Sequence, residues 1–191
     1  MARGQEREDA ILTSTVELLG ELGYEAITID AVAARAHASK ATIYRRWRNK
    51  GELVKAALDA LDTRHNATIP DTGALRSDLA AVMEGLRDKA TASYVAMIQG
   101  LVIAARRDKA LAASLRSHIE NDELSPFRAV LRRAVERKRL PTHAPTDLVH
   151  DVAEAMILRQ LQTGSPFDGR FISRVVDDVL LPLLRRKRSR K

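Results

Sequence analysis

Residues 28–50 read TIDAVAARAHASKATIYRRWRNK, from Thr28 to Lys50. After Thr28, a residue type that caps helices, apolar residues recur at the three- and four-residue spacing of a helix. Residues 37–38 form a short turn, and Ser39 can cap a second, very short helix that ends at Trp47. Two short helices joined by a tight turn predict a helix-turn-helix.

The second of these helices must pack on its own domain with one face and enter the major groove of DNA with the other. Ile43 and Trp47 are four residues apart and therefore share the inward face. On the other face, a small alanine permits close approach to base edges, hydroxyl groups suit phosphate oxygens, and cations can reach either. The predicted DNA-binding residues are Thr28, Ser39, Lys40, Ala41, Thr42, Tyr44, Arg45, Arg48 and Lys50.

The charge of this segment also favours contact with a polyanion. The chain of 191 residues has a formal net charge of +7, and six basic but no acidic residues lie from Arg35 to Lys50. An alternative interpretation is a solvated basic surface, with Tyr44 partly buried in the core. The combination of capping serine, outward hydroxyl groups and acid-free segment favours double-stranded DNA as the partner.

Helical periodicity continues through the rest of the chain. Ile11, Leu18, Leu19 and Leu22 mark the buried stripe of a first helix that Gly23 ends, and a loop is expected at Ile69–Gly73. Further helices are predicted at 74–89, 92–106, 109–121, 126–138, 146–163 and 169–184. The fold class is all-α. The expected domains are a helix-turn-helix domain at 1–50, a connecting helix and linker at 51–70, a ligand-binding and dimerisation domain at 71–184, and a basic tail at 185–191.

Composition excludes several classes of site. The chain has no cysteine, so it has neither disulfides nor thiolate metal sites. Its charged N-terminus lacks an apolar signal core, and the uncharged run at 90–105 is too short for a comfortable membrane span. We therefore expect a cytoplasmic protein with no membrane partner.

The first sixty residues resemble the N-terminal signature of the TetR family of transcriptional regulators. The matching positions are Gly23, Tyr24, Thr28, Ala36, Ala38, Ser39, Thr42, Tyr44, Trp47 and Lys50. The chain departs from the family pattern at His37, where glycine is usual, and at Trp47, where phenylalanine is commoner. The resemblance implies a repressor that binds a palindromic operator as a homodimer and is released by a small hydrophobic effector.

The resemblance also places a dimer interface on the last two helices. We expect it to include Leu148, Val152, Ala155, Met156, Arg159, Phe171, Val175 and Val179; the alternative is an ordinary core within one chain. It places an effector pocket among the middle helices, with the candidates Leu86, Tyr94, Met97, Ile98, Leu101, Phe127 and Leu131. Apolar residues at helical spacing are more often plain core than pocket.

An enzyme and a non-specific DNA-coating protein are the alternative functions. The sequence contains no glycine-rich phosphate loop, serine elbow or zinc motif, so we expect no enzyme activity and no cofactor. The spacing of His143, Asp147, His150, Asp151 and Glu154 could suit a divalent metal, but an acid-rich helix start explains it more simply, and we expect no metal. Six of the seven residues from Arg185 to Lys191 are basic and could attract DNA without sequence preference, or act only as a solubilising end.

Overall fold

The polypeptide is helical and contains no strand wherever the structure describes it. This structure is a computed structural model that describes residues 2–66 and 68–185. No helix in those ranges is both long and apolar enough to cross a lipid bilayer. The helices are α1 (Ala2–Ala26), α2 (Ile29–Arg35), α3 (Lys40–Arg46), α4 (Lys50–His65), α5 (Leu75–Lys89), α6 (Ala92–Ala104), α7 (Lys109–Ile119), α8 (Pro126–Glu136), α9 (Thr146–Gln162), α10 (Gly169–Val175) and α11 (Leu181–Arg185), with a 3₁₀ turn at Asp122–Leu124 and a π-helical segment at Val176–Leu180.

The first compact unit combines residues 1–67 with residues 92–124. In it, α1 packs against α2, α4 and α6, while α4 packs along α7. The side chains at its centre are at most 2% exposed and include Ile11, Leu19, Ile43, Leu53, Leu101 and Leu111. The helix-turn-helix therefore shares one hydrophobic core with helices from the middle of the chain.

Helices α4 and α7 run parallel within this unit. Near their amino ends, a Cβ atom added to Gly51 would lie 3.1 Å from the backbone nitrogen of Leu111. Further along both helices, Nδ1 of His118 lies 2.6 Å from Oδ1 of Asp59. Because both contacts advance in the same direction along the chain, the amino ends of the two helices are neighbours.

The second compact unit combines residues 68–91 with the chain from residue 125 onward. Its core contains Leu79, Phe127, Leu131, Val149, Val175 and Leu180. The predicted loop at Ile69–Gly73 is confirmed, and the buried carboxylate of Asp78 accepts a hydrogen bond of 2.6 Å from the backbone N–H of Thr72. A bidentate ion pair between Arg137 and Asp71, with both bonds 2.7 Å, joins the same loop to the end of α8.

The compact units do not follow the order of the chain as the predicted domains do. Residues 92–124 of the predicted ligand domain pack in the first unit, together with the predicted connecting helix α4. The functions assigned to the predicted ranges stay predictions. Of the predicted basic tail, Arg185 lies at the end of α11, and 186–191 lie outside the described residues.

Helix boundaries agree with the predictions to within about three residues. Two other features of the helices differ from the predictions. Gly23 breaks the helical geometry of α1 as expected, with φ 75° and ψ 168°, but Leu22 is 50% exposed, so its assignment to the buried stripe is wrong. The neighbouring helices cover the side of α1 that carries Leu18 and Leu19 instead. The predicted last helix is present but contains the π-helical segment.

Candidate nucleic-acid interface

Helix α3 presents an exposed polar face above a buried apolar one. Ile43 is fully buried and Trp47 is 8% exposed, as their four-residue spacing predicts. On the opposite side, Lys40, Ala41 and Arg45 are exposed, as is Tyr44 with 54% of its surface. The predicted recognition face is therefore available to solvent, since the buried pair fixes the helix from behind.

The hydroxyl residues expected at this face begin the two short helices. Thr28 accepts a hydrogen bond of 3.1 Å from the backbone N–H of Ala31, and Ser39 accepts one of 3.1 Å from Thr42. The hydroxyl groups of Ser39 and Thr42 also lie 2.9 Å apart. Both caps are confirmed, and both hydroxyl groups lie at exposed amino ends of helices, where anions are favoured.

The turn between α2 and α3 is a Schellman motif, in which the chain reverses after a helix. The backbone N–H of Ala38 donates to the carbonyl of Ala33 at 2.9 Å, and that of His37 donates to Ala34 at 3.3 Å. This geometry requires a left-handed residue, and His37 has φ 48°. His37 thus adopts a backbone conformation that glycine takes more readily than any other residue.

Acidic side chains from other segments neutralise part of the basic segment, which the sequence pattern alone did not indicate. Lys40 lies 2.7 Å from Asp30, whose hydrogen bond raises the pKa of the Lys40 ammonium group. Arg46 lies 3.0 Å from Glu8. Because the pair formed by Lys40 is largely exposed, it is weak enough for DNA to displace it.

Lys50 is bound more firmly than the sequence suggested. Its ammonium group donates to the carbonyl oxygens of Tyr24 at 2.8 Å and Ile27 at 3.3 Å, and it lies 4.0 Å from the centre of the Tyr24 ring. An ammonium group has three N–H donors, so these two bonds leave one for a phosphate. Lys50 therefore positions the end of α1 and the start of α2, in addition to its predicted role at DNA.

A contact that the sequence did not predict joins this region to the turn before α7. The hydroxyl group of Tyr24 donates to Oδ2 of Asp108 at 2.5 Å. Burial raises the pKa of Tyr24, and the hydrogen bond to Asp108 raises it further, so the phenol stays protonated as a donor. The two residues are 84 positions apart, and no local pattern links them.

The predicted pocket residues lie in the cores of both compact units. Met97 and Leu101 are buried in the first unit, with Tyr94 and Ile98 packed against them. In the second unit, Phe127 and Leu131 are buried, with Leu86 packed against that core. These positions agree with the core interpretation, and their role in binding an effector stays a prediction.

The predicted dimer residues divide into exposed and buried sets. On α9, Leu148, Ala155 and Arg159 are exposed, while Val152 and Met156 are partly exposed, as is Val179 of the π-helical segment. Phe171 and Val175 of α10 are instead buried in the core of their own chain, as the alternative interpretation has it. Among the predicted interface residues, the exposed apolar side chains are therefore those of Leu148 and Ala155 on α9.

No group of three or more histidine, aspartate and glutamate residues suited to a metal ion occurs in the described part of the chain. His150 is 1% exposed, its Nδ1 lies 3.1 Å from the hydroxyl of Ser125, and its Nε2 lies 3.4 Å from Glu154. A residue so enclosed is part of the α8–α9 packing. The structure therefore gives the metal alternative at 143–154 no support.

Comparison with known proteins identifies both segments of the chain. Residues 11–57 match the family model for bacterial regulatory proteins of the tetR family, and residues 69–179 match the model for the tetracyclin repressor-like C-terminal domain. Over 185 residues, the chain is 48% identical to the DNA-binding transcriptional repressor TetR of Mycobacteroides abscessus, with 97% of each protein covered.

Two further relatives agree with this match. The chain is 36% identical over 181 residues to an uncharacterized HTH-type transcriptional regulator of Mycobacterium tuberculosis, covering 94% of this chain and 89% of that protein. A crystal structure of a TetR family transcription regulator superposes with a TM-score of 0.76 at 26% identity, covering 92% of this chain and 97% of the other. Similarity therefore extends over almost the whole chain.

Proposed function

Because the chain belongs to the TetR family of bacterial transcriptional regulators, we propose that it represses transcription from a palindromic operator and leaves DNA when a small hydrophobic ligand binds. The protein is a DNA-binding regulator and not an enzyme. We place its action in the cytoplasm, where its DNA target is. The observation that carries the proposal is the exposed polar face of α3 above buried Ile43 and Trp47.

In this proposal, α3 lies in the major groove and its exposed residues have two kinds of role. Ala41 and Arg45 face base edges, since a small side chain permits close approach and a guanidinium group can bind guanine. The hydroxyl groups of Thr42 and Tyr44 bind phosphates, which fix the orientation of the helix without selecting a sequence.

A homodimer follows from the small size of this recognition helix. One helix of seven residues reads too few base pairs for useful selectivity, so helix-turn-helix proteins commonly pair two of them on adjacent half-sites. The exposed apolar positions of α9, including Leu148 and Ala155, would form the two-fold interface, because they are seven residues apart on one face.

Release by a ligand requires that the ligand bind more tightly to the form with low affinity for DNA. We assign the transmission of this change to α4. It begins at Lys50, next to the recognition domain, and packs along α7 for much of its length. A displacement of α4 would therefore move the start of α2 through the hydrogen bond from Lys50 to Ile27.

Selection of bound sites from random DNA tests the first part of the proposal. We expect a palindrome with two half-sites whose centres are about one helical turn apart, or a multiple of it. Enrichment of a single half-site would contradict dimeric binding, and uniform enrichment of all sequences would favour the DNA-coating alternative. The recovered palindrome then serves as the DNA probe in a search for ligands. The proposal of ligand release is wrong if every compound that binds the protein leaves its affinity for the operator unchanged.

A further inference from the structure

We propose that the turn between α6 and α7 binds DNA phosphates that flank the palindrome. The basic turn consists of Arg106, Arg107 and Lys109, which surround Asp108. This inference rests on the proposed function, because it extends the DNA-binding surface of the repressor beyond the helix-turn-helix. The predicted DNA-binding residues all lie before residue 51, so none of them belongs to this turn.

A continuous series of contacts places the basic turn beside residues expected to meet phosphate. Lys50 donates to the carbonyl of Ile27 at 3.3 Å, directly before Thr28, and to that of Tyr24 at 2.8 Å. Tyr24 in turn donates to Asp108 at 2.5 Å. One hydrogen-bonded cluster thus joins the start of α2, the start of α4 and the basic turn.

The backbone of α7 is equally close to that of α4. A Cβ atom on Gly51 would lie 3.1 Å from the nitrogen of Leu111 and 3.2 Å from the carbonyl carbon of Ala110. These distances are shorter than most Cβ contacts, so a side chain at position 51 would crowd the backbone of α7. The basic turn, which ends at the first residue of α7, is therefore next to the amino end of α4.

The acid within the turn does not neutralise its cations. The carboxylate of Asp108 accepts hydrogen bonds from other groups of its own compact unit. Oδ2 accepts from Tyr24, and Oδ1 accepts from the backbone N–H groups of Ala110 at 2.9 Å and Leu111 at 3.0 Å. The carboxylate is therefore held by these three hydrogen bonds and not by an arginine.

The three cations are left to solvent. Arg106, Arg107 and Lys109 are all exposed, and within residues 2–66 and 68–185 none of them forms an ion pair. By contrast, Lys40, Arg35 and Arg46 of the helix-turn-helix each have an acidic partner. Three neighbouring cations without a counter-ion, continuous with a DNA-binding surface, complement a phosphate backbone.

Binding to two lengths of the selected palindrome tests this inference. The short duplex ends with the palindrome, and the long one adds about one helical turn of arbitrary sequence on each side. We expect the wild-type protein to bind the long duplex more tightly, and R106A/R107A to lose this preference. Each lost phosphate contact should lower affinity about eightfold at ~0.1 M salt and reduce the slope of log K against log salt by about 0.9.

R64A/R116A is the matched control, because it removes the same charge from exposed positions of α4 and α7 outside the turn. It should keep the preference for the long duplex. The inference would be overturned if R106A/R107A kept the wild-type preference for the long duplex. It would also be overturned if R64A/R116A lost that preference to the same extent, because the effect would then be one of net charge. If R106A/R107A binds DNA normally but loses an interaction with an acidic protein, the basic turn binds that protein and not DNA. Failure of the proposed function is distinct, since wild type would then recover no palindrome.

Discussion

His37 shows how one residue can carry a conformation that its type disfavours. It occupies the left-handed position of the Schellman motif with φ 48°, where a Cβ atom crowds the backbone at a cost of about 1–2 kcal/mol. The fold tolerates it because the motif satisfies two carbonyl groups at the end of α2. Lys138 does the same after α8, with φ 58°.

Replacement of His37 by glycine should therefore stabilise the protein. We expect His37→Gly to raise the free energy of unfolding by about 0.5–1 kcal/mol, because relief of backbone strain exceeds the added entropy of the unfolded chain. Chemical denaturation measures the change. Ala34→Gly, at an exposed position inside α2, is the control and should lower stability by about 1 kcal/mol. A destabilised His37→Gly protein would show that the imidazole makes a compensating contact.

Tyr44 and Arg45 should affect DNA binding in different ways. Tyr44→Phe removes only the hydroxyl group and should weaken binding to the operator and to random DNA by the same factor, because phosphates carry no base information. Arg45→Ala should change the ratio of the two affinities. If Arg45 binds a base edge, the change corresponds to about 1–3 kcal/mol of binding free energy. Competition titrations with both DNAs measure these ratios; a changed ratio in Tyr44→Phe would contradict the assigned geometry.

Lys50 is a less direct test of phosphate binding. Its bonds to the carbonyl groups of Tyr24 and Ile27 mean that Lys50→Ala removes part of the domain structure as well as a cation. Loss of DNA binding in that variant is still expected, but its melting temperature must be measured beside the affinity.

At the scale of helices, His118 holds α7 to α4 through two carboxylates. Nδ1 lies 2.6 Å from Asp59, and Nε2 lies 3.3 Å from Asp62. Burial of the imidazole opposes its protonation, but the hydrogen bonds and charges of the two aspartates outweigh burial and raise the pKa of His118 to about 9. The imidazolium is thus the form that joins the helices at neutral pH.

This raised pKa predicts a stability that falls in alkaline solution. The unfolded-state pKa of histidine is near 6.5, so the contribution of His118 is fully present below that pH and is lost as pH rises through about 9. His118→Gln should remove this part of the pH dependence. Denaturation of both proteins from about pH 6 to about pH 10 measures the difference, because this range includes both the unfolded-state and the folded-state pKa of His118. Parallel curves would show that His118 is neutral in the folded protein.

At the scale of the molecule, dimerisation should depend on the exposed face of α9. Leu148 is 50% exposed, so Leu148→Glu leaves the core intact but places a charge in the proposed interface. We expect a monomer in sedimentation, with strongly reduced operator affinity because each half-site is then bound separately. Ile119→Glu, at a 55% exposed position of α7, is the control and should remain a dimer. A dimeric Leu148→Glu protein would move the interface to another surface.

Much of the fold could be predicted because its signals are local. The caps at Thr28 and Ser39, the left-handed turn at His37 and the inward pair Ile43 and Trp47 all depend on residues within a few positions of each other. Helix boundaries were predicted from glycine, proline and apolar spacing for the same reason. The exposed recognition face follows directly from that spacing.

Local sequence is therefore sufficient to predict an all-helical chain, its helix-turn-helix and the side of α3 available to DNA, since backbone propensity and amphipathic spacing are properties of neighbouring residues. Contacts between distant groups became visible in the folded chain and not before. The fold placed residues 92–124 beside the helix-turn-helix and brought Tyr24 to Asp108 and His118 to two aspartates of α4. Such pairings depend on how whole helices pack, because burial of apolar surface has no direction and any of several partners satisfies it equally well.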